Sequence, residues 1–270
     1  MTDRVSVEIT DGVADVRLTR GDKMNALDDA MFQALIDTGD RLKRERGLRA
    51  VVLSGEGRAF CAGLDMGRFG KMAEAKEAAG ARNLGLRSHG IANRPQYAVW
   101  VWRELPVPVI AAVHGVAFGG GFQIMLAADM RYVAPGTRLS IMEIKWGLVP
   151  DMAGTQLLRH LVRDDVAREL TYTGRIFSPE EALAYGLATR ICEDPRAAAL
   201  EVAREIAGRS PDAIRAAKRL FNAARVVDVA AGLTHEAIEQ EALIGSANQI
   251  EAVRANLEQR PPRFTDRQED

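Results

Sequence analysis

Apolar and polar residues alternate over Val5–Thr10 and again over Val13–Leu18, and between the two runs stands Asp11-Gly12, a pair that accepts the positive φ angles of a tight turn. The pattern predicts a β-hairpin. The period then lengthens: Met31, Ala34, Leu35, Thr38 and Leu42 recur at helical spacing across 27–44, with Asp28 placed to cap the start. Ala50-Val51-Val52-Leu53 reads as a buried strand closed by Ser54-Gly55, and a second strand spans 107–113. Between them, 67–104 is helical in composition but has no clear period.

Gly119-Gly120-Gly121 then gives way to helix-forming residues at 122–128, so a glycine turn feeds a helix N-terminus. A short strand is expected at 131–134 and a helix over 155–173, broken near Arg163-Asp164. Ser178-Pro179-Glu180-Glu181 combines an N-cap serine, a proline at N1 and a capping-box glutamate, opening a helix that Gly186 stops. Beyond Pro195 the chain is almost entirely helix-forming, with amphipathic blocks at 197–208, 212–224, 227–244 and 248–258. The expected organisation is a mixed α/β core over 1–195 followed by an all-helical region over 196–270.

Composition narrows the function classes. Hydrophobic residues make up 47% and charged residues 27%, with a formal net charge of -1, which points to neither nucleic acid nor membrane as partner. Cys61 and Cys192 are far apart and form no CxxC pair, so neither a disulfide framework nor a zinc site is expected, and a reducing cytoplasm fits. The start MTDRVSVEITDG has no apolar stretch of the kind that directs export. His89, His114, His160 and His235 have no metal-ligand spacing, and no GxSxG elbow is present, so no metal and no serine nucleophile is expected.

Two glycine-containing loops, 54–65 and 114–121, each follow a predicted strand. Phe60 stands at the sixth position of a would-be GxGxxG in the first, and the second lacks the Gly-Lys-Ser/Thr ending of a P-loop, which disfavours nucleotide phosphates. Together with the block Met142-Glu143-Ile144-Lys145-Trp146-Gly147-Leu148-Val149-Pro150-Asp151-Met152-Ala153-Gly154-Thr155, these loops resemble the signature of the crotonase (enoyl-CoA hydratase/isomerase) superfamily. The resemblance runs from Lys23-Met24-Asn25-Ala26-Leu27 to Arg260-Pro261-Pro262-Arg263-Phe264.

The resemblance implies a crotonase-like spiral of ββα turns with a C-terminal helical region that builds trimers, commonly stacked as hexamers. It implies an acyl-CoA thioester as substrate and no separate cofactor, since CoA is part of the substrate. Leu64 and Gly120 match the positions whose backbone N–H groups bind the thioester oxygen. Lys23, Met24, Ala26, Ala62 and Asp65 match positions around the CoA adenine and pantetheine. Glu143 matches one of the two hydratase glutamates, and Asp151 matches an acid of certain enoyl- and dienoyl-CoA isomerases. The other hydratase glutamate is replaced by Gln123, whose amide exchanges no proton near neutral pH; it either holds a water or a substrate group by hydrogen bonds or is simply a polar residue on the first turn of a helix. Double-bond isomerisation is therefore the expected reaction. A 2-enoyl-CoA hydratase is the alternative, and a non-catalytic acyl-CoA-binding protein a further one.

Overall fold

The hairpin forms as patterned. Strands β1 (Val5–Thr10) and β2 (Val13–Leu18) pair antiparallel from Val5 opposite Leu18 to Thr10 opposite Val13. Asp11 (φ 49°) and Gly12 (φ 78°) make the turn, both in the left-handed region expected of them. The computed structural model describes residues 4–67 and 84–266.

Asp28 caps helix α1 (Asp29–Lys43) by accepting from Met31 N–H at 2.8 Å. Leu27, expected at the helix start, instead bridges to Leu64 in extended conformation. That bridge brings the first glycine loop against the entry of the helix. Strands β3 (Ala50–Gly55) and β4 (Val109–Val113) follow, each parallel to its neighbour. Between them Asn93 opens helix α2 (Arg94–Glu104) with a reciprocal capping box to Gln96, so the unpatterned stretch holds a well-capped helix; residues 68–83 of it lie outside the described residues.

The remaining strands are β5 (Val116–Phe118), β6 (Met130–Val133), β7 (Arg138–Ser140) and β8 (Arg190–Ile191). The main sheet runs β1-β2-β3-β4-β6-β8, while β5 and β7 pair separately. Helix α3 (Gly120–Ala127) leaves the triple glycine; α4 (Gly154–Leu158), α5 (Asp164–Thr173) and α6 (Pro179–Tyr185) follow. Each parallel step returns the chain so that the strand ends and their loops gather on one side.

Period-2 alternation divides the sheet side chains between two cores. Val51, Leu53, Val109, Ala111 and Val113 pack with α1, α2 and α3 in the larger core, where Trp102 is fully buried. Ala50, Val52, Ile110 and Ala112 face the other way and meet Ala199 and Ala203 of α7 (Pro195–Ala207). The boundary expected at 195 therefore separates the sheet from the helix that covers it. The part of the tail standing away from the sheet begins with α8 (Pro211–Ala223), followed by α9 (Val229–Leu243) and α10 (Ala247–Leu257). Lys218 of α8 ties this tail back: its buried Nζ donates to Val107 O at 2.7 Å and to Asp129 Oδ2 at 2.8 Å. Among the described residues no helix is long and apolar enough to cross a membrane.

Candidate active site

The two glycine loops lie against each other edge to edge. Cys61 N–H donates to Val116 O and Phe118 N–H to Cys61 O, both at 3.1 Å, which joins the loop after β3 to strand β5. Gly63 (φ 85°) sits where a Cβ would lie 2.6 Å from Phe118 O and 3.6 Å from Gly120 N, so only glycine permits this approach. The N–H of Leu64 and that of Gly120 consequently fall on neighbouring strands of backbone.

Neither N–H is taken by an acceptor among the described residues, and each is free for a structural reason. At Leu64, the bridge to Leu27 uses Gly63 O and Asp65 N–H, and alternation along an extended chain turns the Leu64 N–H to the opposite side. Gly120 is the first residue of α3, where helical N–H groups have no intrahelical partner and the helix dipole is positive. Gly119 turns the chain into this helix at φ 51° and ψ -118°, a conformation closed to side-chain-bearing residues. Leu64 and Gly120 both line a cavity of about 1200 Å³.

Glu143 and Asp151 line the same cavity. Glu143 begins a 3-10 turn (Glu143–Trp146) after β7, and its carboxylate reaches back to the glycine turn: a Cβ built on Gly119 would lie 3.3 Å from Glu143 Oε1. Burial pushes the Glu143 carboxyl above the ordinary glutamate range, and the charge of Asp151 adds to that, partly opposed by hydrogen bonds from backbone and from Gln123. Burial likewise raises Asp151. Asp151 presents its exposed surface to the cavity.

Gln123, expected to hold a water or a substrate group, does not line the cavity and is only 1% exposed. Its Oε1 accepts from Met152 N–H and Gly154 N–H, both at 2.8 Å, and its Nε2 donates to Glu143 Oε1 at 2.6 Å. Among the described residues both ends of its amide are hydrogen-bonded to the protein, so the side chain ties the walls of the cavity together from behind.

Lys23, Met24, Ala26, Ala62 and Asp65 all border the cavity. Two residues not singled out in the sequence hold them there. Asn25, fully buried at φ 54°, donates through Nδ2 to Glu56 O (3.0 Å) and Ala59 O (2.8 Å), and its own carbonyl accepts from Cys61 Sγ (3.1 Å). Arg20 reaches Asp65 Oδ2 at 2.6 Å and Ala26 O at 2.9 Å. That hydrogen bond holds Asp65 below the usual carboxylate range. The only local signals for these roles were a polar residue inside the block 23–27 and an arginine ending the hairpin; apart from Ala26, their partners lie far away in the chain, at separations of 31 and 34 residues for Asn25 Nδ2 and 45 for Arg20. Cys61 is buried with its thiol pushed up to about 12, and His114 Nε2 bonds to Gly57 O at 3.0 Å, so both serve the loop architecture. Among the described residues no group of three His, Cys, Asp or Glu side chains is arranged to hold a metal ion.

The family model described as "Enoyl-CoA hydratase/isomerase" matches residues 8–267. The chain belongs to the enoyl-CoA hydratase/isomerase family. Its similarity to mouse (Mus musculus) mitochondrial methylglutaconyl-CoA hydratase is 30% identity over 260 residues, covering 94% of this chain and 79% of that protein. Human (Homo sapiens) mitochondrial Delta(3,5)-Delta(2,4)-dienoyl-CoA isomerase is 30% identical over 250 residues, covering 91% of this chain and 76% of that protein. The crystal structure of an enoyl-CoA hydratase from Bacillus anthracis superposes with a TM-score of 0.87 at 31% identity, covering 97% of this chain and 98% of that one. Membership of the hydratase/isomerase family makes this protein a crotonase-superfamily enzyme with the crotonase fold, its mixed α/β core carrying a C-terminal helical region as expected. The names of its relatives include both a hydratase and an isomerase, so similarity at this level leaves the reaction to the chemistry of the site.

Proposed function

We propose that this protein isomerises the double bond of an enoyl- or dienoyl-CoA through a thioester enolate. The observation that carries the reading is the acid pair: two carboxylates with raised proton affinity face one cavity, while the third position is an amide bound wholly to the protein. Isomerisation takes a proton from one carbon and returns it to another, which needs a base and an acid but no water held between two carboxylates. Carboxyl groups of raised pKa suit both halves, because each gains proton affinity closer to the operating pH.

In this reading the thioester oxygen accepts from the N–H groups of Leu64 and Gly120, and a preorganised donor of this kind is worth about 3 kcal/mol to the transition state. The N-terminal end of α3 adds its positive dipole to the same point. Glu143 removes the proton and Asp151 returns one at the displaced carbon, or the order is reversed. Lys23, Met24, Ala26, Ala62 and Asp65 border the stretch of cavity assigned to CoA, with the exposed cations Lys23 and Arg58 available to its phosphates. We further propose a homotrimer or a hexamer built from it, because Val229, Leu233 and Ile238 of α9 are 79%, 60% and 58% exposed on one chain.

Hydration of a 2-enoyl-CoA is the second reading, supported by the similarity to methylglutaconyl-CoA hydratase. Incubation of the purified protein with crotonyl-CoA and, separately, with a 3-enoyl-CoA separates the two. Conversion of the 3-enoyl-CoA to its 2-enoyl isomer without net hydration is expected; rapid formation of 3-hydroxyacyl-CoA from crotonyl-CoA overturns the isomerase reading. If Glu143→Gln and Asp151→Asn together leave every acyl-CoA turnover unchanged while CoA binding persists, the protein is a binder and the proposal fails.

A further inference from the structure

We propose that Gln123 is the positioning residue of this site, one amide that fixes Glu143 as a solitary base and sets the turn carrying Asp151 in register with it. The proposal rests on the reading of Glu143 and Asp151 as the acid pair.

The orientation of the amide follows from its partners. Met152 N–H and Gly154 N–H both point at one atom of Gln123 at 2.8 Å. Two donors require an acceptor, so that atom is the oxygen and the NH2 group faces Glu143. The amide therefore cannot flip without leaving two buried N–H groups facing a third donor. With the amide fixed, its NH2 holds Glu143 Oε1 at 2.6 Å, whereas Glu143 Oε2 is buried and has no hydrogen-bond partner among the described residues. One oxygen is clamped; the other is left for a proton.

The same amide reaches the second acid through the backbone. Asp151 precedes Met152, the residue whose N–H Gln123 accepts, and Ala153, next in the turn, has the left-handed φ of 68°. A glutamine of 1% exposure on the first turn of α3 thus ties together the helix of Gly120, the 3-10 turn of Glu143 and the turn of Asp151. Among the described residues the charged group acting on Glu143 is Asp151. Lys145 on its own turn lies over the Trp146 ring, while on α5, packed against that turn, Asp164 pairs with Arg168, Asp165 with Arg163 and Glu169 with Arg175.

The NH2 group donates and never accepts, so it steadies Glu143 in its ionised form. A carboxylate in its place reverses that sign. In Gln123→Glu one oxygen still accepts from Met152 and Gly154, which preserves the turn, and the other meets Glu143 at hydrogen-bond distance. Two carboxylates at that separation do not both ionise, so they share a proton and titrate as a pair.

The test compares wild type, Gln123→Glu and Gln123→Met by two readouts. The first is the pH dependence of kcat with a 3-enoyl-CoA. The second is a carboxyl-13C titration of ligand-free protein labelled at glutamate, with Glu143→Gln assigning the Glu143 signal. For Gln123→Glu the expected result is an upward displacement of the acid limb and of the Glu143 titration by about one pH unit or more. For Gln123→Met, kcat falls by about 100-fold with KM changed only a few-fold, as expected when geometry rather than binding is lost. If Gln123→Met does not fold, Gln123→Glu decides alone. An unchanged Glu143 titration in Gln123→Glu overturns the proposal whatever the activity; absence of turnover in wild type with a displaced titration overturns instead the isomerase reading.

Discussion

Glu143 carries opposing demands at a single side chain: one oxygen is held by Gln123, the other has no hydrogen-bond partner among the described residues, and burial raises its proton affinity. A carboxyl whose pKa is higher in the folded than in the unfolded state binds its proton more tightly when folded, so ionising it costs stability. That cost is absent below the unfolded pKa and grows as pH rises through the folded one. Glu143→Gln is therefore expected to abolish most activity, with kcat reduced by about 100- to 10,000-fold, while raising the melting temperature at neutral pH. Thermal melts over a pH series check the sign, because the gain should vanish near about pH 4, where free glutamate protonates. A melting temperature lowered at neutral pH would refute the assigned environment. The same shift predicts that wild-type kcat rises with pH through a value above the ordinary glutamate range.

At the scale of elements, the cavity depends on loops that are held only by one another. Asn25 uses two backbone carbonyls of the 54–65 loop to hold the segment 23–26, at a φ of 54° that asparagine tolerates better than alanine. Asn25→Ala leaves both carbonyls, the buried one of Ala59 above all, short of a donor, and the expected loss is about 1–3 kcal/mol by denaturant unfolding, together with a raised KM for acyl-CoA. At the other loop, Gly119→Ala forces a side chain into φ 51° against the Glu143 carboxylate, with strain of about 1–3 kcal/mol. Here kcat should fall further than stability, since the distortion reaches Gly120 and Glu143 together; equal losses in the two would count against the site as described.

At the scale of the whole molecule, α7 belongs to the core and only the helices beyond it form a distinct tail. Lys218 connects them, its buried ammonium bonded to Val107 O and Asp129. Lys218→Met leaves Val107 O unpaired and is expected to cost about 1–3 kcal/mol, read as a lower denaturation midpoint. The exposed apolar residues of α9 carry the prediction about assembly. Sedimentation should give a trimer or hexamer for wild type, and Leu233→Glu with Ile238→Glu should shift the mass toward the single chain; a wild-type monomer at micromolar concentration would contradict it.

Local chemistry made much of this protein legible from its letters. Asp11-Gly12, the Asp28 cap and Ser178-Pro179-Glu180-Glu181 mark their elements because turn and cap geometry depends on residues a few places apart. The loop signatures likewise pointed to the family, and the residues matched to it, apart from Gln123, line one cavity. What local pattern did not carry was any contact that closes over long separation: Leu27 drawn out of its helix by Leu64, the sheet covered by α7, Arg20 reaching Asp65. Gln123 shows the reason most directly. Its identity as an amide was readable, and so was the proton it cannot exchange; whether its two ends meet substrate or protein depends on an acceptor and donors 20 to 31 residues away, which only the folded chain brings within hydrogen-bond distance.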